Sequence, residues 1–287
     1  MKLINSSYEI LEQGEGLQGI YEQIERVGKT CYKSEVKGGE SAKKFVEKMI
    51  ANQHYAMLEH GTVYLAIPIT TGHSGGSEIN YMNNKYSIVT ESEGLSMKDE
   101  YNDPCDCWCV TTNLRVLVEN DWMDDLKYYL CEPTQWHVKR VTVKFISNIH
   151  FYKDITRHRT MSFAIESTRY CNYASEQKFG RCIKFIRPVW LKPEEEEEFI
   201  RDCETCEEIY FRWIEKYGWQ AQQSAEFLCQ DTAAEICMTG FVDSTGWIHV
   251  FNLRALDKTG PAHPTVKQLM VPLYEEFCQR GYINNSN

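Results

Sequence analysis

The amino-acid sequence predicts a mixed α+β fold, a single domain over 1–287 with a central sheet and a helical C-terminal half. Three observations predict it. Thr62 to Pro68 reads as a strand, and Val141, Val143 and Phe145 alternating with Arg140, Thr142 and Lys144 mark a half-buried one. Apolar residues at helical spacing mark Leu17, Ile20, Ile24 and Val27 near the start, and long stretches after Pro193. Neither an internal repeat nor a linker-like stretch divides the 287 residues, which suffice for one sizeable core.

In order, a short strand is expected around Tyr8 to Leu11, followed by the Leu17–Val27 helix. A second helix is expected from Ser41, whose hydroxyl can cap it, burying Phe45, Met49 and Ile50. The strand at Thr62–Pro68 comes next. Residues 69–107, rich in Gly, Ser, Asn and acid, read as a surface insertion. A helical pattern runs from Thr112 to Leu130, then the strand from Arg140, then a short helix from Ile149 to His158. An irregular polar segment reaches Gly180, and Cys182 to Trp190 reads as a strand. Pro193 suits a first helical turn, and the five glutamates after it complement the positive end of the helix dipole. Gly218 stops that helix, and further helices are expected over 221–240, 246–256 and 264–281.

Composition narrows the function. Hydrophobic residues are 43% and charged residues 25%, ordinary for a globular protein. No window approaches the roughly 20 apolar residues of a membrane span. The N-terminal sequence lacks the apolar run of a secretory signal, so a cytoplasmic location is expected. The twelve cysteines then read as reduced thiols. A formal net charge of −10 argues against binding a nucleic-acid polymer through its phosphates.

Two cysteine clusters invite a metal reading. Cys105, Cys107 and Cys109 lack a fourth ligand and the wider loops of a zinc site. Cys203 and Cys206 have C-x-x-C spacing, but with Phe199, Tyr210 and Trp213 they form one apolar helical stripe. No metal is assigned.

The chemistry concentrates in Arg157-His158-Arg159 through Ser167-Thr168-Arg169-Tyr170. Three arginines and a histidine fall within thirteen residues of an otherwise acidic chain. Guanidinium groups donate paired, charge-assisted hydrogen bonds that suit phosphate. A solvated basic face would repeat at helical spacing. Here Arg-His-Arg is contiguous, so its side chains point in different directions.

Arg-His-Arg, seven residues and then Ser, continued as Ser-x-Arg-Tyr, resembles the signature of the flavin-dependent thymidylate synthases. Leu58-Glu59-His60-Gly61-Thr62 is similar to the family's entry to a strand, and Asn252-Leu253-Arg254 to its C-terminal motif. The resemblance implies that family's fold, and reductive methylation of dUMP to dTMP. The cofactor would be FAD, with NADPH as reductant and methylenetetrahydrofolate as carbon donor. It implies FAD contacts from His60, Thr62, Arg157, His158, Arg159 and His249. It implies nucleotide contacts from Asp154, Arg157, Glu166, Ser167, Arg169 and Arg254, with Arg254 catalytic at the pyrimidine's N3/O2 edge. No cysteine nucleophile is implied. A homotetramer with sites shared between subunits is implied as well.

The sequence also departs from the family pattern. Ala225 and Cys229 stand where the family usually has Arg and Pro, while Ala164 and Ile165 replace a polar pair. The flavin-side Asn-x-Arg is missing near Asp243 to Thr245. These departures leave two alternatives open: a related enzyme acting at C5 of a different pyrimidine nucleotide, or a catalytically impaired binding homologue.

Overall fold

The computed structural model describes residues 1–69, 77–93, 97–98 and 104–283. The chain opens with β1 (Lys2–Ile4) and β2 (Ser7–Leu11), then α1 (Gly16–Thr30) and α2 (Gly39–Ala51). A tight helical turn, Tyr55–His60, leads into β3 (Thr62–Pro68). Then come α3 (Ser77–Met82), β4 (Ile88–Glu91), β5 (Met97–Lys98), β6 (Pro104–Cys105) and β7 (Cys107–Asn113). Helices α4 (Leu114–Asn120) and α5 (Asp125–Tyr128) follow, then β8 (Arg140–Asn148), α6 (Ile149–Ile155) and β9 (Ser162–Ile165). After α7 (Glu176–Phe179) and β10 (Lys184–Ile186), the chain forms α8 (Glu196–Glu215) and α9 (Ala221–Ser224). It closes with β11 (Ala233–Phe241), α10 (Trp247–Arg254) and α11 (Pro264–Gln279).

The central sheet has the order β2-β8-β11-β9, antiparallel throughout. Strands β8 and β11 pair along their whole length, from Arg140↔Phe241 to Asn148↔Ala233. Helices cover both faces. On one, Val141, Val143 and Phe145 of β8 pack with Phe151 of α6, Trp247 and Phe251 of α10, and Leu269, Leu273 and Phe277 of α11. On the other, Val27 of α1 packs with Ala164 and Cys237. Burying each large aliphatic or aromatic side chain contributes about 1.5–3 kcal/mol. A second sheet, β3-β7-β4, packs against α1, α2 and α4 through Ile24, Val46, Leu65 and Leu117. Gly61 lets α1 approach: a Cβ there would lie 2.5 Å from Ile24 Cδ1.

Several elements fall where the periodicity predicts them, including β2, α1, β3, α6, α10 and α11. Others differ. The helix expected over 221–240 is a short α9 followed by β11, which is central to the sheet. Both faces of β11 are covered, so its apolar residues run almost without alternation, and such a run does not distinguish strand from helix. For the same reason β8 is not half-buried, since Arg140 and Thr142 are buried along with Val141 and Val143.

The segment expected to be irregular contains β9, four residues that gain their conformation from pairing with β11. The Thr112–Leu130 helix is interrupted: β7 runs to Asn113, whose side chain caps α4, and Asp121 ends α4 in the left-handed conformation. Helix α2 starts at Gly39, while Ser41 Oγ donates to Glu25 Oε1 at 2.7 Å and so does not cap it. The 182–190 strand shortens to β10. Pro193–Glu195 forms a tight turn before α8, and Gly218 (φ 72°) closes the end of that helix.

Of the 69–107 stretch, α3, β4, β5, β6 and the first residue of β7 are described, and β4 pairs with β7. Residues 70–76, 94–96 and 99–103 lie outside the described residues. Cys107 and Cys109 are buried in β7. Among the described residues no group of three or more His, Cys, Asp or Glu side chains is placed to hold a metal. No helix among them is long and apolar enough to cross a membrane.

Trp247 starts α10 from a fully buried position, and its Nε1 donates to Val141 O at 3.0 Å. Trp247→Ala is expected to cost about 3–5 kcal/mol of stability, read as the shift in urea midpoint at unchanged slope.

Candidate functional site

The Arg-His-Arg segment sits on a turn built by its neighbours. Asn148 caps α6 by accepting from Phe151 N at 2.9 Å. After α6 the chain tightens, with His158 N donating to Ile155 O and Met161 N to His158 O, both at 3.1 Å. The turn sends the three side chains in different directions. Arg157 and Arg159 are exposed, while His158 is buried to 6% exposure. Thr160 Oγ1 donates to Thr245 O at 2.7 Å and ties the turn to the loop before α10.

Helix α10 brings the second half of the site. Arg254 Nε donates to His158 Nε2 at 3.2 Å, and its Nη2 donates to the Asp154 carbonyl at 3.2 Å. The His249 and His158 rings meet edge to face, 5.7 Å between centroids. Asp243 shapes the preceding loop: its Oδ1 accepts from Gly246 N at 2.6 Å and Thr245 N at 2.9 Å. Across the rim, Asp257 Oδ1 accepts from Ala262 N at 2.9 Å and folds the Thr259–Ala262 turn.

These parts enclose an open cleft of about 780 Å³. Arg157, His158, Arg159, His249 and Arg254 line it with the hydroxyls of Thr160, Ser244, Thr245 and Thr259. Among the described residues none that lines it is acidic, in a chain of net charge −10. Among the described residues Arg157, Arg159 and Arg254 have no carboxylate partner. Unpaired guanidinium groups around an acid-free hollow suit an anionic ligand.

Burial, assisted by the positive charge of Arg254, pushes the His158 imidazole down to about 4. The ring is therefore neutral near pH 7, and its Nε2 can accept from Arg254.

The other predicted residues stand elsewhere. Strand β9 rises about 3.3 Å per residue, which separates Arg159 at its start from Glu166 at its end. Glu166 is buried, and both its oxygens are occupied by the chain itself. Oε1 accepts from Tyr173 OH at 2.8 Å, and Oε2 accepts from Glu235 N at 3.0 Å and pairs with Lys33 at 3.3 Å. It thus anchors the end of β9 and is absent from the cleft. Ser167 N donates to Cys31 O at 3.0 Å, and Arg169 is exposed beside the Tyr170 ring. Ala225 lies in the turn that follows α9 and does not line the cleft. Asp154 contributes its carbonyl to Arg254.

His60 and Thr62 are interior. His60 is 0% exposed, with Nδ1 2.7 Å from Thr239 Oγ1, and burial with the nearby Arg140 charge holds it down to about 3. Its Nε2 has no hydrogen-bond partner among the described residues. Thr62 accepts from Arg140 Nη1 at 3.4 Å. Neither lines the Arg157–Arg254 cleft.

The sequence reading missed Arg140, a buried arginine beside His60, and Lys33, paired with Glu166 and Glu235. Arg140 stands with Thr142 and Lys144 at the polar positions of an alternating strand, so nothing local marked it as buried. Lys33 gave no signal either, because its partners are distant in sequence.

His158 and His60 stay neutral when folded but bind protons near their ordinary value of about 6.5 when unfolded. Both folded values are lowered, so their contribution is present above pH 6.5 and is lost as pH falls towards 4 and then 3. The melting temperature is expected to fall across that range, and less steeply in His158→Gln. An identical profile in that variant would assign the loss to other groups.

No curated protein matches the sequence. Among solved structures, the UMP/dUMP methylase PolB from Streptomyces cacaoi bound with 5-Br dUMP is similar at 11% identity and TM-score 0.43, over 97% of this chain and 93% of that one. The same methylase bound with 5-Br UMP is similar at 13% identity and TM-score 0.42, over 97% and 91%. The family model described as thymidylate synthase complementing protein matches residues 137–280, half of the chain and the part that builds the cleft. The chain belongs to the thymidylate synthase complementing protein family.

Proposed function

We propose that this protein methylates dUMP at C5 to give dTMP, using FAD, methylenetetrahydrofolate and NADPH. The observation that carries the reading is the meeting of Arg157, His158, Arg159, His249 and Arg254 on one acid-free cleft. Family membership supports the reaction class.

The residues fit a flavin dinucleotide. A cleft of about 780 Å³ has the size of a small-molecule site. Arg157 and Arg159 supply cations for a pyrophosphate, and His158 and His249 supply flat rings beside it. When bound, FAD reduced by NADPH supplies the reducing equivalents that convert the transferred methylene to a methyl group.

The chain's own part is to hold and polarise the uracil. His158 and the Asp154 carbonyl fix Arg254 by Nε and Nη2, and Nη1 has no partner among the described residues. A fixed cation at the N3/O2 edge favours the deprotonated ring and raises electron density at C5, the carbon that must attack. Because the donor is positioned beforehand, little reorganisation is needed during reaction.

Ser167 and Arg169 belong to the nucleotide side of the site but stand at the far end of β9. This supports a homotetramer in which a neighbouring subunit brings them to the cleft. In that assembly Arg157 serves both flavin and nucleotide, and Arg169 meets the phosphate. His60 and Thr62 support the flavin side from within the fold.

A second reading rests on Ala225. Without the family's arginine, one charge-assisted phosphate contact worth about 1.5–3 kcal/mol is lost. A different pyrimidine nucleotide could then be the substrate. A catalytically impaired homologue is a third reading, favoured by the same residue and opposed by the presence of Arg254.

In an anaerobic titration, bound flavin is expected to bleach with NADPH, and faster with dUMP present. Bleaching indifferent to dUMP, with a methylated product only from another nucleotide in a mass-resolved panel, would select the second reading. Failure to bind added FAD would overturn the flavin assignment. Arg254→Ala is expected to keep flavin and lose about 10²–10³-fold in methylation rate. Full activity in that variant would remove Arg254 from the chemistry.

A further inference from the structure

Helix α8 and the turn after α9 bring two thiols together. All twelve cysteines lie among the described residues, and Cys229 alone is exposed. Its neighbour is Cys206, half-buried on α8. The two Sγ atoms are side-chain hydrogen-bond partners, and Cys229 N also donates to Cys206 Sγ. Cys206 Sγ lies 3.2 Å from Phe227 O, two residues before Cys229. The single thiol hydrogen of Cys206 can turn to either acceptor.

Neighbouring rings fix this meeting. Trp213, two turns further along α8, stacks on Phe227 with 5.5 Å between centroids and 11° between planes. Trp219 lies against both rings. Leu228 N donates to Ala225 O and Thr232 N to Cys229 O, both at 3.1 Å, which closes the chain on either side of Cys229. The two thiols are not equivalent. The hydrogen bond with Cys206, joined by donors from Asp231 N and Thr232 Oγ1, outweighs burial and holds Cys229 down to about 6. The same contact, with burial, pushes Cys206 up. The thiolate is the nucleophilic form of cysteine, and here it falls on the exposed partner with a protonated thiol beside it. Cys203, one turn back on α8, is 3% exposed, and burial pushes its thiol up to about 12.

We propose that Cys229 and Cys206 are a peroxide-oxidisable pair that closes to a disulfide between α8 and the segment entering β11. The Cys229 sulfur attacks one oxygen of hydrogen peroxide. An S–O bond forms, the O–O bond breaks, and the departing hydroxide takes a proton from solvent to leave as water. The Cys206 sulfur then attacks the sulfenic acid on Cys229. An S–S bond forms, the S–O bond breaks, and the Cys206 proton leaves with the hydroxide as a second water. The two sulfurs give up two electrons, and the peroxide accepts them. Neither cysteine lines the Arg157–Arg254 cleft, so the site does not depend on the proposed methylation.

The test exposes reduced full-length protein, freed of reductant, to a small excess of hydrogen peroxide. Intact mass is expected to fall by two hydrogens. Proteolysis after blocking the remaining thiols should give a peptide pair that tandem mass spectrometry shows linked through Cys206 and Cys229, and dithiothreitol should reverse the link. Cys206→Ser is expected to stop at the sulfenic acid on Cys229, captured by dimedone, while Cys203→Ser should close the disulfide as the unaltered protein does. In Cys229→Ser the first thiol is expected to be lost about tenfold more slowly. The peptide map of the unaltered protein decides the matter if a variant does not fold. No linked peptide, a link through Cys203 or another cysteine in place of Cys206, or oxidation that begins elsewhere among the twelve thiols would overturn the proposal.

Discussion

The antiparallel ladder between β8 and β11 is the contact on which the rest of the structure depends. It joins residues about ninety positions apart in register from Arg140↔Phe241 to Asn148↔Ala233. At one end the chain leaves β11 into α10, which carries His249 and Arg254. Strand β9, on the other side of β11, starts at that same end with Ser162 opposite Thr239, just after the Arg157-His158-Arg159 turn. The ladder therefore fixes the distance between two short polar motifs that have no other reason to meet. A one-residue slip would turn the face of β11 that packs on α10 and α11 towards α1, so the apolar faces hold the register and the register holds the site.

Charge distribution is the second constraint. An acidic chain keeps carboxylates out of one cleft and places three arginines on it. Elsewhere its carboxylates are spent on the chain's own donors: Glu166 and Glu235 on Lys33, Glu235 on Lys144, and Asp243 and Asp257 on loop amides beside the cleft. The acids near the cleft thus shape its rim through hydrogen bonds and do not neutralise its arginines. His158 belongs to the same design. Held neutral, it accepts from Arg254 where a protonated ring would repel it.

Strand β9 separates the Arg157-His158-Arg159 turn from Ser167 and Arg169. Its first residue follows the cationic turn, and its last leads to Glu166, buried on Lys33 and Tyr173. Four residues of extended chain, about 3.3 Å each, separate the Arg157 turn from Ser167 and couple their positions rigidly.

The sequence by itself determined which residues form the cationic motif and most of the elements that hold them. The spacing of Arg157, His158, Arg159, Ser167 and Arg169 is local, and so is the apolar period of α1, α10 and α11. Such patterns can be read because each residue's role follows from its neighbours in the chain. Only the tertiary structure decided that Ala233–Phe241 is a strand, that His158 and Arg254 touch, that Glu166 and His60 face inward, and that Arg140 is buried without a carboxylate. Those outcomes depend on what covers each face. A strand covered on both sides loses its alternation, and a buried side chain finds its partners across the sheet, far along the chain, where local periodicity carries no information.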